Sequence, residues 1–442
     1  MRAEKRKRYI GLILVAVLLL SVPAVYIRVL FASRHIRGKT VVELTNESGT
    51  ITDRYGTVLY DIDGCKNPDL LGNLIGGSPM VSKSISDLYA KEMSPSGFNA
   101  LQGMKSLEDR TGNEIVTTLL PIKDQQRLQE AFGDYNGALV AYNYETGEVY
   151  SLLSKPSSFL ADATDGAYMN RCLSSRYIPG STMKIIAVTC ALDQDKKLST
   201  FKATCTGKLE LPTGHVVTCH GVHGEVDMIK GIGKSCNCYM AALIQQLDEQ
   251  QAREVLKEMG IYTNEEDAGK EAYVDRLRRV TSVTHFKSAH TFQDVWSLIG
   301  QGDSAVNMVD MAMIAAAVVN EGKAAQPYLV ERIYEADTDE QSDTAKSGKN
   351  VTLIKASSAR RVEEVWRQAV EEYYSNKIHA NITHAKTGTA QLGNGTTNRM
   401  LMGVMEEHKV AFYLVVEGLP SGDNLIFDIA NELAHMIPTH VN

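Results

Sequence analysis

The sequence predicts an α+β fold: an antiparallel sheet flanked by helices, preceded by one transmembrane helix and a small β-rich module. Three observations carry this expectation. Strand-like apolar runs stand at both ends of residues 117–442 around a mainly helical middle, so the terminal strands can pair in one sheet with helices on its faces. A charge-free stretch, Tyr9–Ile27, follows a basic cluster and is long enough to span a bilayer. Residues 32–64 then alternate β-branched runs with turn residues.

The chain divides accordingly into a cytoplasmic tail (1–8), an anchor (9–31), a juxtamembrane module (32–116) and a larger domain (117–442). Arg2, Lys5, Arg6, Lys7 and Arg8, offset by Glu4 alone, keep the tail inside and place the rest outside the membrane. Ser21-Val22-Pro23-Ala24-Val25 is a poor match to a cleavage site, so the anchor is expected to be retained, single-pass. Of the formal charge of −7, the tail supplies +4 (five bases less Glu4), leaving −11 outside. An acidic exterior argues against nucleic acid as a partner.

The module reads as short strands at Thr40–Thr45, Gly49–Thr52 and Gly56–Tyr60. Residues 65–116 are rich in Gly, Ser and Met, with helical pieces near Ser84–Met93 and no chemical signal. In the larger domain the pattern gives a helix at Lys123–Phe132 and a hairpin of Ala138–Tyr144 and Glu148–Leu153 about Glu145-Thr146-Gly147. Ser181–Asp193 is apolar around most of its circumference, which predicts a buried helix, and Met308–Val319 is a second. Residues 336–349 read as a polar loop. The chain then closes as strands Ala385–Leu392, Met400–Met405 and Val410–Glu417 and a helix Leu425–Ile437. Seven cysteines are too few, in 442 residues, to build a disulfide scaffold, and their odd number leaves at least one thiol unpaired.

A serine hydroxyl needs a neighbouring base to become a nucleophile, and a lysine can be that base if its ammonium is destabilised. Ser181 and Lys184 are three residues apart on one helical face, and Pro179-Gly180 starts the helix so that Ser181 sits at its positive end. The pattern is not unique, because Ser199-Thr200-Phe201-Lys202 repeats it. That copy lies among turn and β-branched residues without a following apolar helix, and is rejected. Fifty-four residues after Ser181 stands Ser235-Cys236-Asn237, and 151 further on Lys386-Thr387-Gly388-Thr389 on an expected strand. Its Gly lets a ligand lie against the backbone, and its Lys and Thr suit a carboxylate. Each piece alone is ordinary: capping groups, or a sheet-edge turn.

Together, on helix, loop and strand in this order, the three motifs resemble the active-serine signature of penicillin-binding proteins and the related β-lactamases. From about Thr117 onward the chain is similar to the transpeptidase domain of class B penicillin-binding proteins. Further landmarks agree: Gly137–Ala141 with Thr146–Val149, Asn170-Arg171 through Gly180, His223-Gly224, Gly300-Gln301-Gly302, and near the anchor Ser48–Gly56. Three positions depart from the family: Ser48 replaces an Arg, Asn307-Met308 stands where Thr-Pro is common, and Asn398–Leu401 lacks an aromatic pair. The module is also short.

The resemblance implies a membrane-anchored D,D-transpeptidase that crosslinks peptidoglycan stem peptides through an acyl-enzyme at Ser181, with β-lactams as covalent inhibitors. Lys184 would be the base, Ser235 a proton relay, and Asn237 a contact to the substrate amide. Lys386, Thr387 and Thr389 would hold the terminal carboxylate, Gly388 would let the substrate approach, and the N–H groups of Ser181 and Thr389 would form the oxyanion hole. A multi-span membrane glycan polymerase is the implied partner, and no metal or organic cofactor is implied. D,D-carboxypeptidase, β-lactamase and a catalytically idle scaffold or sensor remain alternatives. Cys205, Cys219, His220 and His223 can be read as a zinc site, whereas the resemblance and an oxidising exterior favour a Cys205–Cys219 disulfide. No role is assigned to Cys236 or Cys238.

Overall fold

The apolar runs near the end of the chain assemble with the first hairpin into one five-stranded antiparallel sheet. Its order is His384–Gln391, Thr397–Met405, Val410–Leu419, Gly137–Asn143, Val149–Lys155. The N- and C-terminal strands of the domain therefore pair as expected, with Tyr413 opposite Val140 and Leu414 opposite Leu139. The computed structural model describes residues 49–76, 84–93, 112–158, 166–263, 271–335, 340–344, 348–392, 395–420 and 422–440. The expected tail, the anchor, strand 40–45 and Ser48 lie outside them. No helix among the described residues is long and apolar enough to cross a membrane.

Strands Gly137–Asn143 and Val410–Val416 are buried along their whole length, which is why they read as continuous apolar runs rather than alternating ones. Helix Met308–Val319 packs on three of the strands, and Leu425–Met436 packs on two of them and on helix Ile122–Ala131. All but the last residue of Met308–Val319 is buried. Each such Val, Ile or Met side chain contributes about 1.5–3 kcal/mol relative to exposure. At the head of this helix Asn307 supplies what the unusual Asn-Met pair needs. Its Oδ1 accepts from Val309 N (3.0 Å), and its Nδ2 donates to Cys172 O (2.9 Å), Leu173 O and Ser175 O (both 3.3 Å). A second departure is also absorbed locally, because Asn398 Oδ1 accepts from Gly418 N at 3.2 Å.

A six-stranded sheet draws on both the module and the larger domain, in the order Glu340–Thr344, Val330–Glu335, Glu114–Thr117, Thr50–Thr52, Val58–Asp61, Gly64–Cys65. Strand Glu340–Thr344 falls inside the expected polar loop 336–349. A polar edge strand held by backbone pairing carries no apolar period, so its composition reads as loop. The segment Gly49–Gly56 is tied to the larger domain through Arg54, whose guanidinium meets Glu148 (3.1 Å) and Glu331 (3.4 Å). Asp53 closes the same turn by accepting from Tyr55 N and Thr57 N, both at 2.9 Å.

The edge strand His384–Gln391 has one neighbour in the sheet and leaves its other edge open. Helix Ala356–Tyr373 fixes it from behind, Trp366 Nε1 donating to Ala385 O at 2.9 Å. The turn Gly180–Thr182 lies against it so closely that a Cβ on Gly388 would sit 2.3 Å from Pro179 O. One on Gly180, whose φ is +55, would sit 2.4 Å from Thr389 N. Glycine is required at both positions.

Candidate active site

Ser181 occupies the middle of a 3-10 turn, Gly180–Thr182, that runs directly into helix Met183–Gln194. The helix begins two residues later than the sequence suggests, with Ser181 still at its N-terminal end. Thr182 anchors the turn from within: its hydroxyl donates to Pro179 O (2.8 Å) and meets Tyr413 OH at 3.1 Å. The Ser181 side chain is half-buried, and among the described residues its hydroxyl has no hydrogen-bond partner.

Lys184, one turn along, is completely buried. Its ammonium does not point back to Ser181 for a partner but reaches the second motif. It donates to Ser235 O (2.7 Å), Ser235 Oγ (3.1 Å) and Asn237 Oδ1 (2.6 Å). Lys386, equally buried on the edge strand, donates to the same Ser235 Oγ at 3.2 Å and to Thr387 O at 2.9 Å. With both lone pairs engaged, the Ser235 hydroxyl can offer only its proton to a third group. Ser235 has φ +53, a left-handed conformation that a non-glycine residue holds at a cost of order 1–3 kcal/mol. Asn237 completes the loop, its Nδ2 donating to Thr218 O at 2.9 Å.

Two ammonium groups buried side by side oppose each other's charge. Burial first, and the neighbouring Lys386 second, hold Lys184 well below the usual lysine range. Burial alone takes Lys386 down to about 7. A lysine so destabilised can accept a proton near neutrality, which an exposed lysine cannot.

The remaining predicted residues line the open edge of the strand. Thr387 Oγ1 is 3.0 Å from Tyr374 OH, and Thr389 O accepts from Gln301 Nε2 at 2.9 Å. The structure thus brings Lys184, Ser235, Asn237 and Lys386 into one hydrogen-bonded array, with Ser181 beside it and Thr387, Gly388 and Thr389 along its rim. Tyr374 and Tyr413 give no sequence signal as site residues, whereas Gln301 lies in the visible Gly300-Gln301-Gly302 run. The second Ser-x-x-Lys does not contribute: Ser199 lies in an exposed turn and Lys202 pairs with Glu225 at 2.9 Å in solvent. The Cys205–Cys219 disulfide is not formed, both residues being free thiols.

A helix-borne Ser-x-x-Lys, a Ser-x-Asn loop and a Lys-Thr-Gly edge strand converging on a helix-covered antiparallel sheet define the acyl-transfer class. The family description "Penicillin binding protein transpeptidase domain" matches residues 137–437. The chain belongs to this family and is an acyl-transfer enzyme of the serine D,D-transpeptidase type. It is 25% identical over 354 residues to the peptidoglycan D,D-transpeptidase PbpA of Mycolicibacterium smegmatis, covering 72% of this chain and 69% of that one. It is 26% identical over 266 residues to the stage V sporulation protein D of Bacillus subtilis, covering 57% of this chain and 39% of the relative. Among solved structures, penicillin-binding protein A from M. tuberculosis, as a ceftriaxone acyl-enzyme, shares the fold at TM-score 0.75 and 21% identity. The match covers 89% of this chain and 99% of that one. A D,D-transpeptidase domain from Eggerthella lenta matches at TM-score 0.73 and 23% identity, covering 89% and 99%.

Proposed function

We propose that Ser181 is the acyl carrier of a membrane-anchored peptidoglycan D,D-transpeptidase that β-lactams inhibit by acylating the same hydroxyl. The observation that carries this is the chain Lys184 Nζ, Ser235 Oγ, Lys386 Nζ, with steps of 3.1 and 3.2 Å, built from motifs 51 and 151 residues apart. Lys184, kept from full charge by burial, takes the proton as Ser181 Oγ attacks the penultimate D-Ala carbonyl. The Ser181 and Thr389 amides, brought together by the Gly180 approach to the edge strand, receive the oxyanion. Ser235, whose hydroxyl is left as a donor, passes a proton to the departing D-Ala amine. Lys386 with Thr387 and Thr389 receives the substrate carboxylate, while Asn237 meets the peptide amide. A second stem's amine then displaces Ser181.

The 9–31 segment, charge-free from Tyr9 to Ile27 and preceded by five bases, would hold the enzyme as a single-pass protein with its catalytic domain outside. The family resemblance supports a multi-span membrane glycan polymerase as its partner. The test is a donor peptide ending in D-Ala-D-Ala together with a labelled D-amino acid as acceptor. D-Ala release with incorporation of label, both lost in Ser181→Ala, is the expected result. Release without incorporation at any acceptor concentration assigns a carboxypeptidase instead. Absence of both reactions and of β-lactam acylation leaves the idle scaffold.

A further inference from the structure

Arg399 stands on strand Thr397–Met405, inside the Asn398–Leu401 stretch where this chain lacks the family's aromatic pair. Its side chain is half-buried and its charge is uncompensated. Five arginines among the described residues carry a buried nitrogen without a hydrogen-bond partner. Of these, Arg54, Arg171 and Arg279 each meet a carboxylate through another nitrogen, and Arg361 donates to Leu192 O at 3.5 Å. Arg399 alone of the five has neither a hydrogen bond nor an ion pair among the described residues. Burial takes it below the usual arginine range, and Asp423 and Tyr374 offset that only in part. A half-buried cation in this state costs the fold free energy until an anion reaches it.

We propose that Arg399 is a specificity-determining residue that receives the terminal carboxylate of the acyl donor alongside Lys386, Thr387 and Thr389. This role rests on the proposed reception of that carboxylate by the Lys386–Thr389 strand, and adds the residue that sets the site's preference for an acid.

The sheet brings Arg399 to the site. It pairs directly with Thr389, and residues opposite each other in an antiparallel pair share one face, with Cβ atoms about 4.5–5.5 Å apart. Thr387, two residues from Thr389, lies on that same face. Tyr374 closes the group: its hydroxyl is 3.0 Å from Thr387 Oγ1, and it interacts electrostatically with Arg399. Lys386 and Gly388 alternate onto the other face, where Lys386 meets Ser235 and Gly388 lies against Pro179. A peptide along the open edge of the strand therefore has its carboxylate between Lys386 on one side and the two threonines with Arg399 on the other. The planar fork of a guanidinium can donate two parallel N–H···O bonds to that carboxylate, which an ammonium cannot.

The test sets an acid against its neutral counterpart. Acylation of the full chain by a penicillin should slow about 10–100-fold in Arg399→Gln, the worth of a hydrogen bond to a charged group, while acylation by the methyl ester of the same penicillin should change less than about twofold. Equal losses on acid and ester, or no loss on either, overturn the proposal. Because the guanidinium is unpaired, Arg399→Met, which keeps the arm and removes the charge, should unfold at a denaturant concentration no lower than wild type. A lower midpoint, or failure to fold, makes Arg399 a structural residue and also overturns it. Wild type acylated by neither compound removes Ser181 as acyl carrier, which is a separate failure, and the role of Arg399 is then decided on the Ser181→Ala chain. There N-acetyl-D-Ala-D-Ala should bind, by NMR titration, about 10–100-fold more weakly once Arg399→Gln is added, and its C-terminal amide should not distinguish the two chains. Equal binding of the acid to both chains overturns the proposal.

Discussion

The chain carries Ser-x-x-Lys twice, and the two copies have opposite surroundings. At Ser181 the lysine is wholly buried, engages Ser235 and Asn237, and is held well below its usual pKa by burial and by Lys386. At Ser199 the lysine lies in solvent, pairs with Glu225, and that hydrogen bond raises its pKa. The same four-residue pattern therefore gives a buried lysine held below its usual pKa in one place and a surface ion pair in the other. What separates them is the helix behind the first copy and the two distant motifs that close over it.

The contrast breaks most readily at the lysines. Lys184→Ala should lower the rate of β-lactam acylation about 10²–10⁴-fold, the usual worth of a positioned general base. Lys202→Ala should leave it unchanged. Stopped-flow acylation of both variants checks the pair, and equal losses would dissolve the distinction.

A smaller effect is expected where the first copy meets its strand. Gly388→Ala sets a Cβ 2.3 Å from Pro179 O, which overpacks the contact by about 1–3 kcal/mol. Chemical denaturation should show that loss together with slower acylation.

Titration sharpens the same comparison. Lys386, flanked by buried Lys184 and by Tyr374 through Thr387, loses its charge as pH rises through about 7. Its carboxylate-binding role should weaken over that interval, so acylation by a carboxylate-bearing β-lactam should decline there, and Lys386→Arg should flatten the profile. For stability the sign is opposite. The folded state binds fewer protons than the unfolded one between about 7 and the ordinary value of 10.5, so this residue's unfavourable contribution diminishes as pH rises across that window.

The smallest differences lie in the caps. Asn307→Ala removes a buried cap and three donor contacts beside the core, and should cost about 1–2 kcal/mol in thermal or denaturant unfolding. Asp195→Ala, which uncaps the exposed turn that carries Ser199, should cost less than about 1 kcal/mol.

Much of the fold is legible in the order of the residues. Buried strands and helices give unbroken apolar runs, so Met308–Val319 and the three closing strands can be located to within a few residues. Strand Glu340–Thr344 cannot, because an edge strand made of Glu, Gln, Ser, Asp and Thr has no apolar face to detect. The motif residues are legible by type and order, but their wiring is not. Nothing in Ser235-Cys236-Asn237 announces a left-handed serine accepting from two lysines. The cluster of thiols and an imidazole is half visible. Of Cys205, Cys219, His220 and His223, which lie close in sequence, the fold gathers three beside Cys236 and leaves His220 out.

The central claim, that Ser181 and not Ser199 carries the acyl group, is tested most directly by peptide mass mapping after labelling with penicillin. The added mass should fall on the peptide containing Ser181, be absent in Ser181→Ala, and persist unchanged in Ser199→Ala. Label on the Ser199 peptide, or full labelling of Ser181→Ala, would contradict it.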